Sequence, residues 1–195
     1  MTAHVVPRLT LMRLCAFQEL RLSVRSRWTQ IFAVVFAGLA LAVASSGYVL
    51  SGGSGMQDFS RTAASLVELV LLLVPLTALV FGVMALTPDA GAAELLYSQP
   101  VPRPLILLGK LAGLCLALIA SQAVGFGIAG LVLFSRAGSE GLAGFLGVVV
   151  GSFVLTAIFL AIAAALTAGA TSTRRAHHLA AALVIWFITI VIFDI

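Results

Sequence analysis

Five long apolar runs alternate with short polar connections along this chain, at roughly Gln30–Leu50, Leu66–Leu86, Leu105–Phe134, Leu142–Ala168 and Leu179–Ile195. About 20 apolar residues in helical form cross a bilayer, so each run is predicted to be one transmembrane helix. The third and fourth runs exceed that length and must tilt, bend or project beyond the hydrocarbon. Barrel strands would be short and alternate apolar with polar residues, and these runs are continuous. The expected fold class is therefore all-α: a polytopic membrane protein with five spans in residues 29–195, preceded by an arm in residues 1–28. Composition agrees, with 62% hydrophobic and 9% charged residues, too much apolar surface for a water-soluble domain of this size to hide.

Within the arm, Phe17, Leu20, Val24 and Trp28 recur at spacings of three, four and four, a helical stripe. Arg21 and Arg25 flank it on one side, Ser23 and Arg27 on the other. A helix of this kind lies at the membrane interface with its arginines toward anionic headgroups. No cleavable signal precedes it, because the first apolar run follows a long basic arm and exceeds the length of a signal core.

Nine of the eleven Lys and Arg residues fall on one side of the predicted spans: Arg8, Arg13, Arg21, Arg25, Arg27, Arg103, Lys110, Arg174 and Arg175. Arg61 and Arg136 alone fall on the other. That asymmetry places the N-terminus in the cytoplasm. The basic balance is thus a topology signal, and nothing in it points to nucleic acid.

The connection Thr87 to Pro104 is longer than a bare turn requires. Thr87 can cap a short helix, Pro88 suits its first position, and Asp89 suits its first turn. That helix, about residues 88–98, must end before Pro100, which drives its predecessor out of α geometry. Pro102 and Pro104 are then expected to hold the chain extended up to the third span. Leu95 and Leu96 have no bilayer reason to be apolar on this polar loop, so they mark a docking surface or a segment resting on the headgroups.

Chemistry-bearing residues are sparse. Glu68 lies about one turn inside the second span, where a carboxylate is costly and could relay protons or bind a cation. Its position near the outer end equally allows plain solvation. Pro75 is expected to kink the same helix. His177-His178 sit beside Arg174-Arg175, but adjacent helical positions diverge by about 100° and no third ligand is near, so they read as a cap on the fifth span. Met12, Met56 and Met84 lie in separate segments and form no thioether cluster. Cys15 and Cys115 fall in different environments and are not expected to pair. Neither a metal site nor a bound cofactor is expected. Gly109 and Gly113, like Gly147 and Gly151, form small-residue faces suited to close helix packing, inside the chain or against a second copy. No phosphate-binding lysine loop is present, so any ATP must be hydrolysed by another chain.

Glu94-Leu-Leu-Tyr-Ser-Gln-Pro-Val-Pro-Arg103 with Gly109-Lys110 resembles the cytoplasmic loop of ABC-2-type permeases, closest to the NosY group that serves copper maturation of nitrous oxide reductase. Glu19-Leu-Arg21 with Arg25, Arg27 and Trp28, the entry Arg61 to Leu66, and the tail Trp186 to Asp194 extend the likeness. The resemblance implies six spans, the last missing here, an elbow helix before the first span, and a bacterial inner-membrane location. It also implies a coupling helix in which Glu94, Tyr97, Gln99 and Arg103 contact a cytoplasmic ATPase while Leu95 and Leu96 fill a groove on it. Two permease and two ATPase copies, with an extracytoplasmic partner receiving the motion, complete the expected assembly. Residues 87–93 lack the richer run of charges typical of this loop. Two other functions fit the same residues: a permease exporting lipid, peptide or drug, and a non-transporting membrane scaffold or assembly factor.

Overall fold

The computed structural model describes residues 8–49, 55–87, 102–137, 142–169 and 175–193, and these are all helical apart from short ends and one break. The helices are α1 (Arg8–Arg25), α2 (Arg27–Val49), α3 (Gly55–Leu86), α4 (Arg103–Ala137), α5 (Leu142–Gly169) and α6 (Arg175–Phe193). Among the described residues, four stretches are long and apolar enough to cross a membrane: Arg27–Ser45, Thr62–Leu86, Pro104–Ser135 and Leu142–Ala168. α6 carries a shorter apolar stretch, His177–Ile192. The all-α, polytopic fold class read from the apolar runs is the one observed.

α1 and α2 meet at an elbow on Ser26. The Ser26 N–H closes on the Ser23 carbonyl at 3.1 Å, and its own carbonyl accepts from Gln30 N at 3.1 Å, which starts the next helix. Serine is a favoured residue at such a start. The Gln30 side chain donates back across the elbow to the Val24 carbonyl at 3.3 Å.

α4 begins at Arg103, so Pro104 lies inside its first turn instead of holding the chain extended. The first four N–H groups of any helix lack an internal partner, and a proline there costs little. The Pro102 carbonyl accepts from Leu105 N at 2.9 Å and starts that turn. With 35 residues, α4 is about 52 Å long at 1.5 Å per residue, against roughly 30 Å of hydrocarbon. Its excess length gives α1 a rail to lie on.

α3 and α4 are the central helices: α4 packs against α1, α2 and α5, and α3 against α5, α6 and α2. Phe36, Leu79, Leu118 and Leu160 are fully buried where these helices meet. Edge-to-face rings stitch three of the helices together. Phe36 of α2 meets Phe126 of α4 at 5.1 Å, and Phe126 meets Phe145 of α5 at 6.1 Å, a geometry the ring quadrupoles favour. The outward faces are apolar, with Val34 and Leu131 almost bare, as a lipid-facing surface requires. Polar groups lie inside: Gln122 of α4 donates Nε2–H to Thr156 Oγ1 of α5 at 2.7 Å, and Thr156 donates to the Ser152 carbonyl at 2.8 Å.

Candidate functional site

The polar connection between α3 and α4 falls mostly outside the described residues, and with it Glu94, Leu95, Leu96, Tyr97 and Gln99 of the expected coupling helix. Arg103 is the first residue of α4. What the structure describes is how the two ends of that connection are held.

At the α3 end, Thr87 N–H extends the helix ladder to Val83 O at 3.0 Å. The Thr87 carbonyl accepts from Arg175 Nε of α6 at 2.9 Å. Thr87 Oγ1 lies 3.3 Å from His178 Nδ1, a hydrogen bond whose sense the imidazole tautomer sets. Thr87 and His178 are both buried. The double-histidine motif thus ties α6 to the end of α3, one ring of the pair being buried and the other, His177, exposed. Among the described residues no group of three His, Cys, Asp or Glu side chains could hold a metal.

At the α4 end, Lys110 Nζ donates to the Ala85 carbonyl in the last turn of α3 at 3.2 Å. The same ammonium lies 4.0 Å from Glu19 Oε2 of α1. Partial burial pushes the Glu19 carboxyl above its ordinary value, and the nearby Lys110 charge pulls the other way without cancelling the shift. Lys110, Ala85 and Glu19 therefore link three helices at the foot of the connection.

α1 reaches this position because α4 presents glycines to it. A Cβ added at Gly109 would lie 2.6 Å from Cys15 Cβ, and one at Gly113 would lie 2.8 Å from Glu19 Cβ and 2.9 Å from Leu20 N. Only the missing side chains allow that approach. Gly147 and Gly151 face open space instead. The face of α1 that docks carries Met12, Cys15, Ala16 and Glu19. Phe17, Arg21, Val24 and Arg25 are exposed on the far side of α1, Trp28 is exposed on α2 past the elbow, and Leu20 is half-buried beside Gly113. Glu68 is exposed on α3, six positions after the start of the stretch at Thr62.

The sequence marked Thr87 as a cap for the loop helix and His178, beside Arg175, as a cap on the fifth span, but gave no sign that they meet, nor that Lys110 reaches Ala85. Glu19 and Lys110 did stand in the motifs that carried the family likeness, which was the available signal.

Sequence comparison agrees with this architecture. A sequence model of the ABC-2 family of transporter proteins matches residues 15–195. A protein of Pseudomonas aeruginosa named "Probable ABC transporter permease protein NosY" is 33% identical over 186 residues, covering 92% of this chain and 67% of that relative. The protein of the same name from Stutzerimonas stutzeri is 33% identical over 187 residues, with the same coverage. A match over nearly the whole chain, on a bundle of apolar helices long enough to cross a bilayer, makes this a multi-pass membrane protein that belongs to the ABC-2 family of ABC transporter permeases.

Proposed function

We propose that this permease couples ATP hydrolysis in a separate cytoplasmic ATPase subunit to movement of its helices, and that the connection between α3 and α4 receives the push. Its N-terminus and this connection face the cytoplasm of a bacterial inner membrane, on the strength of the nine-to-two split of basic residues. Glu94, Tyr97, Gln99 and Arg103 provide the polar contacts to the ATPase, and Leu95 and Leu96 the apolar anchor. The arm helix α1 lies at the inner face, its Phe17 and Val24, with Trp28 at the start of α2, toward lipid and Arg21 and Arg25 toward headgroups.

The observation that carries the reading is the fastening of both ends of this connection. Thr87 is bonded to Arg175 and His178 of α6, while Lys110 joins Ala85 of α3 to Glu19 of α1. Displacement of the loop therefore pulls on α1, α3, α4 and α6 together. The names of the relatives extend the proposal to the NosY system: a pair of these permeases passes motion to an extracytoplasmic partner during copper-site maturation of nitrous oxide reductase, without necessarily conducting copper.

The test is co-purification with the candidate ATPase. Leu96→Asp should abolish it, because a carboxylate would be buried without a partner at the interface. Membrane insertion should survive, since the loop lies outside the hydrocarbon. Undiminished association of Leu96→Asp and of Glu94→Arg would overturn the coupling assignment and favour a scaffold.

A further inference from the structure

A cavity of about 200 Å³ lies under the elbow, walled by α1, the start of α2, the last turns of α3 and one residue of α4. Its polar side is formed by Glu19, Ser23, Ser26 and Thr29. Its floor is Phe81, Met84 and Leu114, and Leu22 and Trp28 border it with more than half of each side chain exposed. The space is smaller than the roughly 300 Å³ at which pockets for drug-sized molecules begin. It would take the polar head of an amphiphile whose tails remain outside.

Its level in the bilayer follows from the helices. Thr29 stands two residues after the start of the stretch Arg27–Ser45, and Phe81 to Ala85 end the stretch Thr62–Leu86. The cavity therefore sits where hydrocarbon gives way to headgroups, on the side of the N-terminal arm. An exposed tryptophan beside it suits that boundary, because its ring is apolar and its N–H is not.

We propose that this cavity binds the primary ammonium headgroup of a phospholipid from the leaflet on the N-terminal side, with Glu19 as the anionic contact. The 4.0 Å separation from Lys110 is at the outer limit of an ion pair, and that ammonium already donates to the Ala85 carbonyl. A carboxylate has room for about four hydrogen bonds, so Glu19 keeps acceptor sites for a second cation. The buried hydroxyls of Ser23 and Thr29 add acceptors, and the Trp28 face adds cation–π attraction. Arg25 and Arg27 flank Ser26 in the chain and are exposed, but neither lines the cavity. A single carboxylate among hydroxyls and an aromatic ring suits the ammonium of phosphatidylethanolamine. It opposes phosphatidylglycerol, which has no cation to offer. The proposal stands apart from the coupling reading and survives or fails on its own.

Trp28 reports on it directly. The chain has two tryptophans, so Trp186→Phe leaves Trp28 as the sole fluorophore. Reconstituted in phosphatidylcholine vesicles doped with acyl-brominated phosphatidylethanolamine or phosphatidylglycerol, Trp28 should be quenched at lower mole fraction by the former, by about fivefold, the size of one partly exposed charge pair. Glu19→Gln should erase the preference, and Thr29→Val, which keeps side-chain shape, should reduce it. Native mass spectrometry of the unsubstituted protein gives an independent reading: phosphatidylethanolamine should be retained over phosphatidylglycerol. Equal quenching by the two lipids, or a preference that persists in a folded Glu19→Gln variant, would overturn the proposal.

Discussion

Trp186 of α6 donates its indole N–H to the Leu72 carbonyl of α3 at 2.9 Å, three residues before Pro75. Proline has no N–H and its ring crowds the carbonyl four residues earlier, so the turn around Leu71 and Leu72 is where the α3 ladder is weakest. In lipid, such groups must be satisfied by a neighbouring helix, and Trp186 supplies a donor there. Trp186→Phe should lower stability in detergent by about 0.5–1.5 kcal/mol, the usual net value of one hydrogen bond. Pro75→Ala restores a regular ladder, so the same tryptophan change should cost less in that background. Equal losses in both backgrounds, measured as a double-mutant cycle, would separate the bond from the kink.

Gly113 decides whether α1 can dock. Side chains of any size at that position meet the backbone of α1 itself, at Ala16 and Leu20, which cannot swing aside. Gly113→Leu should push α1 off α4 and expose Cys15, now half-buried against Gly109. In a Cys115→Ser background, the maleimide labelling rate of Cys15 should rise well above that of the parent. Gly151→Leu faces open space and should leave the rate unchanged. Unchanged labelling in Gly113→Leu would show that α1 is not held by this face.

Glu19 makes that docking pH-dependent. Burial raises its folded-state carboxyl above the ordinary 4.5, the Lys110 ammonium opposing the shift only in part. A raised folded value means that the native state binds more protons than the unfolded chain in the window above 4.5. The stability linked to this group is complete below 4.5 and is lost as pH rises through the folded value. Thermal midpoints measured upward from pH 4.5 should therefore fall less steeply for Glu19→Gln than for the parent. Parallel curves for the two proteins would remove Glu19 as the source.

The spans were legible because a bilayer demands long apolar runs, and nothing else in the chain competes with that signal. Which face of α1 packs inward was not legible from its apolar stripe. In water an apolar stripe seeks the core, whereas here Phe17, Val24 and Trp28 are exposed and the docking face is the small and polar one, with Cys15, Ala16 and Glu19. Gly109 and Gly113 announced close packing but not the partner. The bonds that hold the candidate site, Arg175 to Thr87 and His178 to Thr87, join residues 88 and 91 positions apart, and no periodicity carries such information.

Gln122 is buried with its Nε2 bonded to Thr156 and its Oε1 without a partner among the described residues. An amide oxygen left bare in an apolar interior costs about 1–3 kcal/mol, comparable to what the Nε2 bond returns. Gln122→Leu removes both at once, and Thr156 still donates to Ser152. The variant should match or exceed the parent in thermal stability. Gln122→Ala, which also opens a cavity, should be less stable than either. A large loss in the leucine variant would mean that the amide oxygen is satisfied in the membrane, by water or another group.

The contact between Thr87 and His178 should separate holding the ATPase from transmitting its motion. Thr87→Val keeps the side-chain shape and removes the hydroxyl, leaving His178, whose Nε2 already lacks a partner among the described residues, with a second unpaired nitrogen in a buried setting. The expected cost is about 1–3 kcal/mol at the junction of α3 and α6. His178→Leu in the same chain removes the stranded polar ring, so the double variant should be more stable than Thr87→Val alone, a non-additivity that marks direct coupling. The loop itself is untouched, and the ATPase should co-purify with both variants. In the single Thr87→Val chain, however, the ATPase rate should depend less on the permease, because only the Arg175 bond to the Thr87 carbonyl still ties α6 to the joint. Retained stimulation together with the predicted destabilisation would place the transmission elsewhere, leaving the joint between Lys110, Ala85 and Glu19 as the route to test next.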